Sequence, residues 1–281
     1  MVVTWGVVGV GLAGRARARA IVADPRCRLV GVARGRYAGE FDVPNYDFAE
    51  LVSRVEAIAI CSPNTHHAAQ VTHALDHGCH VLVEFPLTLD ALEASALFER
   101  AKATQRILHV EHIELLLAWH QALKARVKGQ LDIKVAMTKR GAGTERPDQL
   151  FGACVARLHN IADLSPIVAV SSIVAHPGHL VIELELESGR ARLELKAGPE
   201  LKRATTVDVH DHDHHWRVGE RRLFCDGEEV PLALSQSSLF ALDHEQMMER
   251  LSQQTAPYVS PERVIDILHH SQLIASTKVV D

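Results

Sequence analysis

Along the first 110 residues, short apolar runs alternate with longer stretches of helical period. The runs at 2–8, 28–33, 55–60, 80–83 and 106–110 have the unbroken aliphatic character of strands buried on both faces. Residues 15–22, the stretch after His67 through Leu75, and residues 90–105 read as the intervening helices. That alternation predicts a parallel α/β sheet. Past it, apolar positions recur at helical spacing over 115–127, a helix stopped by Gly129 and expected to bridge two domains. A strand at 131–138, a loop at 141–147 and a helix at about 152–163 come next. Strands at 167–175, 179–187 and 190–196 follow, the last two joined by Ser188-Gly189. Glu183, Glu185 and Glu187 alternate with Leu184 and Leu186, which predicts a sheet with one wet and one buried face. Residues 221–225 lead into an Asp226-Gly227 hairpin turn, and helices are expected at 238–251 and 260–278, the second capped by Ser260 with Pro261 in its first turn. The expected architecture is an α/β Rossmann N-terminal domain, residues 1–116, plus an α+β C-terminal domain with a largely antiparallel sheet, residues 117–281. The C-terminal helices are expected to pack back on the body.

The break after the first run carries the chemistry. Gly9, Gly11 and Gly14 are spaced G-x-G-x-x-G around Leu12 and Ala13, between a strand and a helix. The first glycine permits a tight turn, the second lets backbone approach a pyrophosphate, and the third lets the helix pack closely on the sheet. The second strand ends in Arg34-Gly35-Arg36, where an NAD enzyme would carry Asp or Glu for the ribose hydroxyls; no acid occurs before Glu40. Two cations suit a 2′-phosphate, so NADPH is expected, with NADH a weaker alternative; otherwise the arginines sit on a solvated loop. Because strand ends of parallel sheets line ligand crevices, Cys61, Ser62, Pro63, Asn64 and His66 are expected as one wall of the nicotinamide pocket, while His67, His73 and His77 are placed on a solvated helix face.

Composition narrows the classes. At 281 residues the chain suits two domains, and 47% hydrophobic with 23% charged residues leaves no room for extensive disorder. Net charge is −5 with no basic block, which argues against nucleic acid, and no run reaches the roughly 20 apolar residues of a membrane span. Five scattered cysteines without C-x-x-C spacing fit a reducing cytoplasm, and the apolar start reads as a strand rather than a signal peptide. The His210–His215 stretch, with Asp211 and Asp213 between its histidines, and the His109/His112 pair invite a metal reading. Neither completes a closed ligand set, so no metal is expected. Nothing in the sequence sets the oligomeric state beyond a slight preference for a monomer.

The stretch SPNTHHAAQVTHALDHGCHVLVEFPLTL resembles the glucose-fructose oxidoreductase (Gfo/Idh/MocA) superfamily, whose members carry a Glu-Lys-Pro motif after this strand. Here Phe85 replaces the lysine. Matching ARLHNIADL to the later catalytic helix of the superfamily's sugar dehydrogenases puts Ala156 and Asn160 where an Asp and a His stand. The resemblance therefore implies that the acid–base set for alcohol oxidation is missing.

The chain is similar to the biliverdin reductase branch in those same departures, through the aromatic after Glu84, the stretch HVEHIELL at 109–116 and GPELKR at 198–203. That resemblance implies NADPH-dependent hydride transfer to the central methine carbon of biliverdin IXα, giving bilirubin. Arg157 matches the arginine placed beside the bilin, and Arg157 and Glu111 are the implied catalytic residues. Phe85, Glu84, His112 and Lys202 join Arg157 as implied substrate contacts, and Glu84 and Phe85 also border the cofactor. Glu111 and Glu114 have a plain structural alternative, capping near Leu115. Two other readings stay open: an oxidoreductase of the superfamily acting on another small molecule, and a catalytically silent NADP-binding regulator.

Overall fold

A computed structural model describes residues 2–233, 235–253 and 255–279. Met1 and Asp281, at which the two expected domains begin and end, lie outside the described residues. The chain divides into two units: one runs to Ile113 and takes in Ser237–Ile265, the other comprises Glu114–Gln236 and the chain from Asp266. The expected boundary at 116 left all the C-terminal helices with the second domain. The structure instead gives the helix Leu239–Gln253 to the first unit, because Met247 and Met248 enter the core around Trp5, Val7 and Ile21.

In the first unit, β1 (Val3–Val8), α1 (Leu12–Ala23), β2 (Cys27–Ala33), α2 (Phe48–Val52), β3 (Ala57–Ile60), α3 (His67–Asp76), β4 (His80–Val83), α4 (Ala91–Ala103) and β5 (Leu108–Val110) follow in order. The five strands are all parallel, ordered β2-β1-β3-β4-β5. All of β3 and nearly all of β1 and β4 are buried, which is why their sequences are aliphatic without alternation. α2 was not legible, being five residues long.

In the second unit, α5 (Ala118–Lys124), β6 (Leu131–Arg140) and α6 (Phe151–Leu164) precede β7 (Ile167–His176), β8 (His179–Leu186), β9 (Gly189–Gly198), β10 (Ala204–His210), β11 (His215–Gly219), β12 (Arg222–Cys225) and β13 (Glu228–Val230). The eight strands are ordered β13-β12-β11-β10-β6-β9-β8-β7 and are antiparallel except for the β6–β9 pair. Along β8, Leu180, Ile182, Leu184 and Leu186 are buried while Glu183 and Glu185 face out opposite Arg192 and Arg190 of β9. The expected helix at 115–127 is shorter. Residues Ile113–Leu116 form a single 3-10 turn, Leu117 is extended, and α5 starts only at Ala118.

Candidate functional site

The glycine loop comes first, because each glycine is demanded by a different neighbour. Gly9 has φ +80°, and a Cβ there would stand 2.6 Å from the backbone of Cys61 and Ser62. On Gly14 it would meet the Gly9 carbonyl oxygen at 2.4 Å. At Gly11 the nearest protein atom would be 4.0 Å away, so that glycine keeps open space rather than a tight fit. Leu12 beside it is 76% exposed, and the first N–H groups of α1 have no acceptor within the helix. An open backbone next to a positive helix end suits a pyrophosphate. Gly35, which sequence reasoning passed over, has φ +123° and would drive a Cβ to 2.3 Å from the Val10 nitrogen.

Arg34 and Arg36 are exposed at the end of β2, and neither is recorded with a carboxylate partner among the described residues. Glu40, the first acid after them, is engaged with Arg15 at 2.7 Å and Arg19 at 3.2 Å. Cys61 and Ser62 follow β3, and Pro63, Asn64 and His66 form the turn into α3. His67 is not on a solvated face as expected: it is buried, with Nδ1 2.8 Å from the Pro86 carbonyl oxygen and Nε2 2.8 Å from that of Ser62. It ties the segment after β3 to the one after β4.

Glu84, Phe85, Glu111 and His112 do come together, because β4 and β5 pair in register through Val83 and Val110 and end side by side. Glu111 accepts hydrogen bonds from the backbone N–H of Ile113 at 2.8 Å and of Phe85 at 3.3 Å. It thus caps the short turn and fixes Phe85. Its burial, and then the Glu84 carboxylate, push its carboxyl up to about 8, with Arg17 opposing. His112 donates from Nδ1 to the Val110 carbonyl, burial pulls it down to about 4, and its ring lies 5.7 Å from that of Phe85.

Behind these residues lies a buried charge network that sequence reasoning missed. Arg17, 1% exposed, contacts Glu84 at 2.6 Å and Asp243 at 2.6 Å. Asp243 also takes His109 Nε2 at 2.9 Å and the Tyr258 hydroxyl at 2.6 Å, and that hydroxyl accepts from the His112 N–H at 2.7 Å. Burial alone would raise the Asp243 carboxyl, but Arg17, then His109 and Tyr258, hold it well below the carboxylate range. Arg17 was findable: it shares with Gly14, Ala18 and Ile21 the i, i+3, i+4, i+7 face that α1 buries.

In the second unit, α6 buries Arg157 against the Glu114 carboxylate, which also meets Arg203 at 3.4 Å. Burial and the Arg203 charge lower the Arg157 guanidinium to about 10, so it stays a cation at neutral pH. Asn160, one turn on, is buried with no partner for either side-chain amide atom. Lys202 is exposed, and its carbonyl accepts from Thr138 at 2.7 Å. The His210–His215 stretch sits on β10, its turn and β11. There Asp211 caps the turn by accepting from the Asp213 and His214 N–H groups, and the His210 and His215 rings stack at 4.1 Å.

All five cysteines are free thiols, and among the described residues no helix is long and apolar enough to cross a membrane. Among curated proteins, the chain is 29% identical to biliverdin reductase A of Mus musculus over 264 residues, covering 87% of this chain and 84% of the relative. It is 33% identical to UDP-N-acetylglucosamine 3-dehydrogenase of Acidithiobacillus ferrooxidans over 116 residues, 39% of this chain and 36% of the relative. In fold it resembles a crystal structure of biliverdin reductase in complex with biliverdin and NADP+ from Synechocystis sp. PCC 6803, with a TM-score of 0.82 and 23% identity over 97% of this chain and 98% of that one. Residues 3–112 match the family described as Oxidoreductase family, NAD-binding Rossmann fold. Over residues 3–112, the part that holds the open Gly11 and the parallel sheet, the chain is similar to that oxidoreductase family.

Proposed function

We propose that this chain is an NADPH-dependent biliverdin reductase, delivering hydride to the central methine carbon of biliverdin IXα to give bilirubin. The observation that carries the reading is the likeness to biliverdin reductase A over 87% of the chain, combined with Phe85 where the superfamily's sugar dehydrogenases have lysine. NADPH supplies the hydride when bound. In this reading the N–H groups at Gly11, Leu12, Ala13 and Gly14 hold its pyrophosphate, and Arg34 and Arg36 hold the 2′-phosphate. Cys61, Ser62, Pro63, Asn64 and His66 border the nicotinamide. Phe85 offers a flat surface to a conjugated tetrapyrrole with the buried His112 ring packed beside it, and Glu84 orients Arg17 behind them. Glu111 keeps a proton at neutral pH and can pass it to a pyrrole nitrogen as hydride arrives. Arg157 and Lys202 take the propionates or polarise the bilin, and Arg157 keeps its own proton.

The test mixes protein, NADPH and biliverdin and follows loss of the far-red bilin band as bilirubin's blue absorption grows. Turnover is expected. It should fall at least tenfold in Arg157→Ala while NADPH affinity is unchanged, and no turnover in the wild type would refute the reading. A second reading, dehydrogenation of a sugar nucleotide, is favoured by the 33% identity to UDP-N-acetylglucosamine 3-dehydrogenase and opposed by Phe85 and Asn160. Reduction of NADP+ on adding that sugar nucleotide would favour it.

A further inference from the structure

At the edge of the parallel sheet opposite the glycine loop, three donors converge from three elements. Asp24 ends α1, Cys27 starts β2, and His244 comes from the helix Leu239–Gln253. Their ligand atoms all lie within 4.8 Å of one another. His244 Nε2 is 3.3 Å from Asp24 Oδ2 and 3.5 Å from Cys27 Sγ, and Met248 Sδ, one helical turn on, is 3.5 Å from the same sulfur. A tetrahedral zinc ion, with bonds of about 2.3 Å to sulfur and about 2.0–2.1 Å to nitrogen and oxygen, sets ligand separations of about 3.3 Å for N···O and about 3.5 Å for N···S. The side chains already stand at those separations.

We propose that Asp24, Cys27 and His244 form a zinc site, with water in the fourth position beside the Met248 thioether. The donor set is borderline-soft, which selects zinc over magnesium or calcium. His244 Nε2 faces Asp24 Oδ2 and Cys27 Sγ at once, so the three ligand atoms already surround one point. A divalent cation there is matched in charge by one thiolate and one carboxylate together. Binding releases the Cys27 proton to solvent, one per zinc.

The surroundings hold the imidazole. Trp5 is fully buried and meets the His244 ring edge-on, with 5.4 Å between ring centroids. Arg26 holds both Asp24 oxygens, Nη2 to Oδ2 at 2.7 Å and Nε to Oδ1 at 2.9 Å, and meets Glu245 at 2.6 Å; metal binding displaces the Oδ2 contact and leaves the other two. The site is a staple. It joins Cys27 to His244 across 217 positions of sequence and fixes the late helix on the α1–β2 corner, separately from any hydride chemistry.

The test uses the full chain, stripped with a chelator and titrated with Co(II) as a spectroscopic probe. One equivalent should bind with a thiolate-to-cobalt charge-transfer band that equimolar zinc abolishes. Cys27→Ser should lose the band and His244→Asn should weaken binding at least tenfold. Cys225→Ser should change neither, although Cys225 lies beside His214 and Asp226 in another possible donor group. Zinc should also slow alkylation of Cys27 in the wild type at least tenfold while sparing Cys225, a readout that needs no variant to fold. Absence of the band, its survival in Cys27→Ser, or unprotected alkylation of Cys27 would overturn the proposal.

Discussion

Replacing Arg17 with methionine keeps the length and apolar stem of the side chain and removes only the guanidinium. In the wild type that group, 1% exposed, stands 2.6 Å from Glu84 and 2.6 Å from Asp243. At an effective dielectric of about 20, each contact contributes about 6 kcal/mol before desolvation. Desolvation of each ion costs several kcal/mol, so the pair itself gains little. The loss is different: Arg17→Met leaves the buried Asp243 carboxylate and the mostly buried Glu84 carboxylate without their shared guanidinium, for which about 3–5 kcal/mol is expected. For a chain of this size that lowers Tm by about 6–20 °C. The deficit also has a pH signature. Without the cation, protonation of these carboxyls in the folded state is easier than in the unfolded chain, so the deficit is smallest in acid and grows as pH rises through the folded-state values. Urea unfolding of both proteins without cofactor, from pH 5 to pH 8, measures it. A loss below about 1 kcal/mol at pH 8, or a deficit that shrinks as pH rises, would refute the reasoning.

Three further outcomes follow from the site. Gly11→Ala should leave Tm nearly unchanged while weakening dinucleotide binding more than tenfold, whereas Gly14→Ala should destabilise by about 1–3 kcal/mol through the Gly9 carbonyl; calorimetric titration beside thermal melts separates the two. Alanine at Arg34 or at Arg36 alone should raise the Kd for NADPH about 10- to 150-fold and leave NADH unchanged, at about 1.5–3 kcal/mol for one charged hydrogen bond lost. Glu111 has a folded value of about 8 against an ordinary 4.5, so its contribution to stability is full below about 4.5 and is lost as pH rises through 8. That is worth at most about 5 kcal/mol. Glu111→Gln should flatten the slope in a pH series of unfolding free energies, and an unchanged slope would remove Glu111 from the proposed proton donors.

The five parallel strands were legible because strands buried on both faces must be aliphatic, and the three glycines because a phosphate loop leaves no alternative residue. Arg157 could be named from resemblance, but its Glu114 and Arg203 neighbours could not, since they lie 43 and 46 positions away in sequence. Asp243 was hidden for the same reason. Its partners at 17, 109 and 258 meet only in three dimensions, and a lone aspartate in an amphipathic helix reads as solvated. His67 was misplaced because periodicity orients a helix without showing that two carbonyl groups wait above it. The helix expected at 115–127 failed locally, where Leu117 turns extended and restarts the count.

The placement of the helix Leu239–Gln253 has a consequence for the order in which this protein is made. Arg17, Glu84 and His109 leave the ribosome well before Asp243 and Tyr258, and the Trp5 face waits for Met247 and Met248. At about 5–20 residues per second, the interval between synthesis of Ile113 and Ile265 is roughly 10–30 s. Throughout that time the nascent Rossmann sheet carries an uncovered apolar face and a cation short of one carboxylate. A chaperone or a slow-translating stretch has its window there, and a fragment cut at residue 116 is a half-finished domain rather than an independent one.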